Sequence, residues 1–191
     1  KIRAIYVNHN LNESSDDWSV YCEKQCNELG IDLTIKSIHP INEGFGIEAN
    51  ARDERYRVIN ESLSPNELLL TAHHKDDQLE TILFRIFRGT GIDGLKGISH
   101  YMDNKGCTIF RPLLGYSRAD LEEYANENNI KWIEDDSNNN ISFDRNYIRN
   151  LLIPKIKDRW KNVEESTHRL SLIALENNQL LDEVAAEDLS Q

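Results

Sequence analysis

Hydrophobic residues in this chain fall into two repeating patterns, short continuous runs and stripes with helical spacing. Continuous apolar runs are typical of strands in a parallel sheet, and apolar residues three or four apart are typical of helices packed on it. Their alternation predicts an α/β fold with a doubly wound parallel sheet and a helical C-terminal extension. The predicted strands cover residues 2–7, 31–35, 68–72, 108–110 and 131–133, and the predicted helices cover 14–29, 46–59, 76–87, 118–128, 145–160 and 163 onwards.

One of these strands leads directly into the helix with the clearest apolar stripe. The run at 68–72, which we expect to be covered on both faces, stops at His73 and His74. In the following helix Asp77 and Glu80 lie about 60° apart, away from the apolar stripe. Two imidazoles and two carboxylates therefore converge at the end of a strand, where open α/β sheets bind ligands. The stripe consists of Leu79, Ile82, Leu83, Ile86 and Phe87.

Three interpretations of this polar corner remain open from the residues alone. Histidine and carboxylate side chains could hold a divalent metal ion for hydrolysis. Asp76 and Asp77 could simply complement the dipole at a helix start while the histidines bond to backbone. A pair of carboxylates could also bind a cationic substrate, because each accepts charge-assisted hydrogen bonds from an ammonium group. We favour a ligand site, since several ionisable side chains at one strand end are hard to explain by packing.

The composition narrows the classes of function. A formal net charge of −11 over 191 residues argues against a general nucleic-acid-binding protein. A local basic stretch at 141–161 nevertheless holds six basic residues against two acids. No apolar run approaches membrane length and no signal-peptide pattern opens the sequence, so we expect a cytoplasmic protein with no membrane contact.

The three cysteines give no disulfide framework. Cys22 and Cys26 are four residues apart in a predicted helix, and we interpret them as buried structural thiols. A zinc site would need further ligands that this spacing does not supply. We therefore expect no bound metal from the cysteines.

Several motifs occur in the order and at the spacings found in one enzyme family. They are YVNHNL, GIEANARDERY, AHHKDDQLET, RGTGIDGLKGI, RPLLGYSRADLEEYA and KWIEDDSNNNISFDRNYIRNLLIP, and together they span most of residues 1–160. In these motifs the chain resembles the bacterial tRNA(Ile)-lysidine synthases. That family belongs to the N-type, or PP-loop, ATP pyrophosphatases, whose fold is a doubly wound, Rossmann-like parallel sheet.

The resemblance implies a ligase that uses ATP with Mg²⁺. Such an enzyme adenylylates the C2 oxygen of cytidine 34 in an isoleucine tRNA with a CAU anticodon. The side-chain amine of free L-lysine then attacks C2 and expels AMP, which leaves lysidine. Val7 and His9, at the end of the first strand, fall where this group cradles the adenosine.

The resemblance also implies roles for the central polar residues. Asp77 and Glu80 would hold or orient the lysine, and His73 and His74 would border the activated base, so that His73, His74 and Asp77 form the catalytic group. The residues that would contact phosphate or tRNA are Arg111, Arg145, Arg149 and Lys155.

The sequence departs from the family pattern in one respect. The Ser-Gly-Gly-x-Asp-Ser loop that cradles pyrophosphate is absent from these residues, and we expect it to precede Lys1 in a longer protein. We expect residues 1–160 to form the catalytic domain and 161–191 a helical linker, and a homodimer stays open as an assembly state. Another tRNA-modifying enzyme of the group, such as a thiolase, is the nearest alternative, followed by a metal-dependent hydrolase.

Overall fold

The computed structural model describes residues 1–10, 12, 14–39, 47–104 and 107–190, with only the backbone of 47–49. Two compact units divide the chain. The first comprises Lys1–Glu67 with Asp103–Cys107, and the second comprises Leu68–Met102 with Thr108–Gln191.

The first unit contains a parallel strand pair joined by a helical crossover. Strand β1 (Arg3–Asn8) pairs with β2 (Asp32–Ser37), and helix α1 (Ser15–Leu29) connects them and packs on both. Helix α2 (Ile47–Ser62) follows, and the start predicted for it at Gly46 lies outside the described residues. The buried apolar side chains of this unit are Ile38, Ala51, Tyr56, Val58 and Ile59.

The second unit contains a three-stranded sheet in the order β3-β5-β4. Strand β3 (Leu68–Leu70) runs parallel to β5 (Cys107–Phe110), while β4 (Tyr101–Asn104), which was not predicted, pairs with β5 on its other side. The expectation that β3 is covered on both faces is wrong, because Leu68 and Leu70 are 45% and 51% exposed. These two side chains share one face, and that face is not covered in the described part of the chain.

Helices form most of the second unit. The sequence predicted helix α5 (Arg118–Glu127) well: Ser117 caps it, its hydroxyl accepting a hydrogen bond from the backbone N–H of Asp120 at 3.1 Å. The helices are α3 (Lys75–Phe87), α4 (Ile92–Leu95), α5 (Arg118–Glu127), α6 (Asp144–Tyr147), α7 (Ile153–Arg159) and α8 (Val163–Leu189), with a 3₁₀ turn at Asp136–Asn139 and a π-helical turn at Ile148–Leu152.

Residues 131–133 do not form the predicted strand. They lie in an irregular segment after α5, and Trp132 and Ile133 are largely exposed. A run of three residues carries too little pattern to fix its structure, and no strand of the described residues pairs with it. The predicted α/β class with parallel strands is otherwise confirmed.

The core of the second unit lies between α3 and the helices that follow the 3₁₀ turn. Leu79, Ile148 and Ile153 are its buried centre, and burial of each contributes about 1.5–3 kcal/mol. Helix α8 packs on α3 and α4, burying Ser171 and Ala174. The first part of α8 is thus integral to this unit, while the predicted domain boundary at residue 160 stays a prediction. Leu83, Phe84, Leu152 and Val163 surround the centre.

Candidate functional site

The first turn of α3 begins where the sequence places the polar corner. His74 is the N-cap residue in extended conformation, and its backbone N–H donates to Asp77 Oδ2 at 2.9 Å. Asp76 and Asp77 both lie in the first turn, where their charge favours the positive end of the helix dipole. The capped helix start, one of the interpretations left open, is therefore present, and it fixes the position of Asp77.

Asp77 and Glu80 share a single guanidinium group. Arg149 donates from Nε to Glu80 Oε1 at 2.5 Å and from Nη2 to Glu80 Oε2 at 2.9 Å, and Nη2 lies 3.5 Å from Asp77 Oδ1. Glu80 is only 4% exposed, which makes this bidentate pair the main compensation for its buried charge. Burial opposes the charge of Arg149, but Glu80 outweighs it and the pKa of Arg149 is raised.

Two carboxylates facing one guanidinium leave one negative charge without compensation. Asp77 is the more accessible of the two, because its side chain is 21% exposed against 5% for Glu80. Its contact with Arg149 is also the longer one. The arrangement can therefore accept a further cation at Asp77 without breaking the pair between Arg149 and Glu80.

The two histidines occupy different environments. His73 Nδ1 lies 3.0 Å from the hydroxyl of Thr71. The ring of His74 lies between two acids, with Nδ1 3.7 Å from Asp76 Oδ2 and Nε2 3.5 Å from Asp77 Oδ2. His74 Nδ1 is buried and forms no hydrogen bond within the described part of the chain. The structure thus brings His74, Asp77, Glu80 and Arg149 together.

Asp76 belongs to a second network that locks the start of α3 to distant helices. Its carboxylate accepts hydrogen bonds from Lys157 Nζ and from the backbone N–H of Arg118, both at 2.7 Å. Burial opposes ionisation of Asp76, but these hydrogen bonds outweigh it and lower its pKa to about 2. Lys157 also pairs with Glu164, and Lys75 pairs with Glu165, so α8 is held to the same corner.

Other predicted contacts to phosphate or tRNA lie apart from this group. Arg111 is 3% exposed and donates from Nη1 to the Ser99 carbonyl at 2.6 Å, which gives it a structural role. The guanidinium of Arg145 lies over the ring of Phe84, 5.6 Å from its centroid. Lys155 is exposed on α7. Their contact with phosphate or tRNA stays a prediction.

Gln78 is an anchoring residue that the sequence did not reveal. It is 1% exposed, its amide nitrogen donates to the carbonyls of Lys96 and Ile98, and its amide oxygen accepts from the Ile98 N–H. Arg85 likewise donates to the carbonyls of Gly94 and Gly97, at 2.9 and 3.0 Å. Both side chains project from α3, so the glycine-rich loop after this helix is held firmly against it.

The predicted ATP contacts, Val7 and His9, lie in the first unit. Asn8, between them, is buried, and its side-chain oxygen accepts from the N–H of Asn10 at 2.8 Å. His9 Nδ1 is buried without a hydrogen-bond partner among the described residues, and burial, with help from Arg55, lowers the pKa of His9. Contact of Val7 and His9 with ATP stays a prediction.

The described residues offer no ready site for a metal ion. No group of three His, Cys, Asp or Glu side chains in this part of the chain is arranged to hold one. Mg²⁺ is commonly held by one or two carboxylates together with substrate phosphates, and such a site does not require a group of three. The three cysteines, all within the described residues, form no disulfide bond. None of the described helices has the length and hydropathy that spanning a bilayer requires.

Sequence comparison identifies the family to which the chain belongs. A sequence model of the PP-loop domain matches residues 1–156. The chain belongs to the PP-loop domain family. ATP use is implied by that family. This PP-loop chain contains a parallel strand pair in each unit. His9 follows a strand of the first unit, and the polar start of α3 lies in the second.

Curated relatives of this PP-loop chain confirm the resemblance seen in the motifs. It is 39% identical over 189 residues to a tRNA(Ile)-lysidine synthase from Shigella flexneri, covering 99% of this chain and 44% of that protein. A tRNA(Ile)-lysidine synthase from Wigglesworthia glossinidia brevipalpis is 41% identical over 192 residues, covering 100% of this chain and 48% of the relative. The chain thus spans about half the length of the relatives it matches.

A solved structure supports the fold. The U34-tRNA thiolase NcsA from Methanococcus maripaludis, with its [4Fe-4S] cluster, aligns with a TM-score of 0.69 and 16% identity, over 90% of this chain and 60% of that one. At this identity the likeness concerns architecture alone. It confirms the predicted α/β fold.

Proposed function

We propose that this chain is part of an enzyme that joins lysine to C2 of cytidine 34 in the CAU anticodon of tRNA(Ile), through an adenylylated cytidine, to form lysidine. The observation that carries the proposal is identity of 39–41% to tRNA(Ile)-lysidine synthases over essentially the whole chain. The polar corner at α3 supports it, because a second cation can bind there.

In this proposal ATP activates the base and the corner binds the lysine. Asp77, held by the backbone N–H of His74, receives the ammonium or amino group of lysine directly. Glu80 acts through Arg149, whose guanidinium keeps both carboxylates in place. His74, with Nδ1 unpaired in the described chain, lies close enough to Asp77 to border the reacting base.

The competing function is thiolation of tRNA, as the name of the structural neighbour suggests. Cys22 and Cys26 lie in α1, and neither they nor Cys107 belongs to a metal-binding group in the described residues.

We propose a cytoplasmic enzyme, with ATP and Mg²⁺ as cofactors, that uses free L-lysine and tRNA(Ile). A homodimer remains a proposal to be tested by sedimentation.

The product distinguishes the two functions. We expect the full-length protein, given Mg·ATP, lysine and a tRNA(Ile) transcript with a CAU anticodon, to release AMP and to yield a nucleoside identified as lysidine by mass spectrometry. A thiolated nucleoside, or AMP release that does not depend on lysine, would contradict the proposal.

The variant Asp77→Asn tests the lysine contact. One lost charge-assisted hydrogen bond costs about 1.5–3 kcal/mol, so the KM for lysine should rise about 10- to 150-fold while the KM for ATP changes little. Asp158→Asn is a matched control, because Asp158 is exposed and pairs only with Lys161 among the described residues. Equal changes in the two KM values would contradict the assignment of Asp77 to lysine binding.

A further inference from the structure

The C-terminal half of α3 and the glycine-rich loop enclose a cleft outside the polar corner. Its volume is about 520 Å³, within the range of small-ligand sites. Its lining combines an aromatic ring, basic side chains and glycine backbone. The lining residues are Phe84, Arg85, Arg88, Gly89, Thr90, Gly91, Asp93, Gly94 and Lys96, and we call this the loop cleft.

Phe84 in the loop cleft lies beside two guanidinium groups. The guanidinium carbons of Arg88 and Arg145 are 5.0 and 5.6 Å from its ring centroid. Arg88 ends α3, whereas Arg145 comes from α6, so two elements far apart in sequence build one surface. Nucleic-acid bases stack on aromatic rings and on guanidinium planes, and this surface offers both.

Two of the positive charges around Phe84 have no acidic partner in the described part of the chain. Arg85 is occupied by loop carbonyls, and Lys96 pairs with Asp93 at 2.5 Å. Arg88 and Arg145, by contrast, have no carboxylate partner in the described part of the chain, although the protein contains 33 acidic residues. Exposed, unpaired guanidinium groups beside an aromatic ring suit a polyanion that also has flat faces.

The glycine-rich loop beside the cleft packs closely against α3 and against itself. Gly97 has φ +61°, and a Cβ there would lie 2.4 Å from Gln78 Oε1. A Cβ on Gly94 would lie 1.7 Å from Thr90 Oγ1. These distances leave no room for a side chain at either glycine, and the hydrogen bonds from Gln78 and Arg85 tie the loop to α3.

We propose that the loop cleft binds one unpaired nucleotide of the RNA substrate. The exposed guanidinium groups of Arg88 and Arg145, which lie over Phe84 in the free protein, turn to the flanking phosphates, and the base stacks on the ring in their place. This assignment rests on the proposed function, which supplies the RNA. It adds a stacking subsite to the corner at the start of the same helix. Phe84 and Arg88 act in RNA binding and not in the chemical step.

The test measures binding of an anticodon stem-loop of tRNA(Ile) to the full-length protein at several salt concentrations. Phe84→Leu keeps an apolar contact with the core around Leu79 and should raise the Kd about 5- to 150-fold with little change in salt dependence. Phe84→Tyr should restore binding, because the ring is retained. Arg88→Gln should flatten the log–log salt slope by about 0.7 for one lost phosphate contact.

Matched controls separate this subsite from general charge effects and from the corner. Arg57→Gln removes an exposed arginine that pairs with Glu54 and Glu61, and it should leave binding unchanged. The KM values for lysine and ATP should stay near wild type in Phe84→Leu at saturating RNA. If Phe84→Leu fails to fold, the exposed pair Arg88→Gln and Arg145→Gln carries the test.

The outcomes also separate the subsite from the proposed function. Wild-type protein that makes lysidine, with Phe84→Leu and Arg88→Gln binding RNA normally, overturns the subsite alone. Wild-type protein that makes no lysidine, but binds single-stranded RNA more tightly than Phe84→Leu does, supports the subsite and overturns the proposed function.

Discussion

The charged side chains at the two ends of α3 differ in whether they have partners. At its start, Asp76, Asp77 and Glu80 each have a defined cationic or backbone partner. At its end, Arg88 and Arg145 lie on Phe84 without an acid in the described chain. The start resembles a prepared receptor whose groups are already oriented, whereas the end is an open basic surface. One helix thus presents acidic groups that are already paired at its start and arginines without acidic partners at its end.

The largest effect is expected from breaking the ion pair at the start of α3. Arg149→Met leaves Glu80 buried without its cation, which should lower the free energy of unfolding by about 3 kcal/mol, measured by urea denaturation. Arg118→Met, which removes an exposed pair with Glu122, should cost about 0–1 kcal/mol. If the two variants lose equal stability, the ion pair at Glu80 does not differ from a surface pair.

A smaller loss is expected from the loop at the other end. Gly97→Ala forces a side chain into the left-handed region and onto Gln78, so it should destabilise the protein by about 2 kcal/mol and speed amide exchange at Ile98. Gly91→Ala is the control, because Gly91 has negative φ and open space at its Cβ. Similar melting temperatures for both variants would show that the loop is not held as described.

The smallest effect concerns pH. The pKa of Asp76 in the folded protein, about 2, lies below the unfolded value of about 3.9. Its contribution is therefore fully present above about pH 4 and is lost as the pH falls towards 2, an effect of about 1–2 kcal/mol. Asp76→Asn should remove this part of the acid limb in a stability profile, and Asp182→Asn, at an exposed site of α8, should not.

Glu164 changes the stability of the folded protein with pH in the direction opposite to Asp76. Burial raises its pKa, so the stability linked to its protonated form is lost as the pH rises through that raised pKa. An acid limb that is the same in wild type and Asp76→Asn would mean that the network around Lys157 does not depend on the charge of Asp76.

The sequence predicted the features that depend on neighbours along the chain. The apolar stripe of α3, the position of Asp77 and the cap at Ser117 follow from local spacing. Contacts between distant residues were not predicted from the sequence. Gln78 is one of many polar residues in the sequence, and only the fold brings residues 96–98 against it. The pair between Lys157 and Asp76, 81 positions apart, is another example.

Two sequence predictions failed because a short apolar run gives no information about the elements that pack against it. At 131–133 no strand lies alongside, and at β3 one face lacks a covering layer in the described chain. The roles of His73, Glu80 and Lys155 depend on contact with a ligand and stay predictions.

The π-helical turn at Ile148–Leu152 sets the rotational phase of everything after it. The segment runs antiparallel to α3, so that Arg145 meets Phe84, Arg149 meets Glu80 and Lys157 meets Asp76. A π turn inserts one extra residue and rotates later positions by about 100° relative to a regular α-helix. With that offset Ile153 faces the core beside Leu79. Of the three cations only Lys157 follows the turn, so the stagger of one residue places Lys157 against Asp76 at the start of α3.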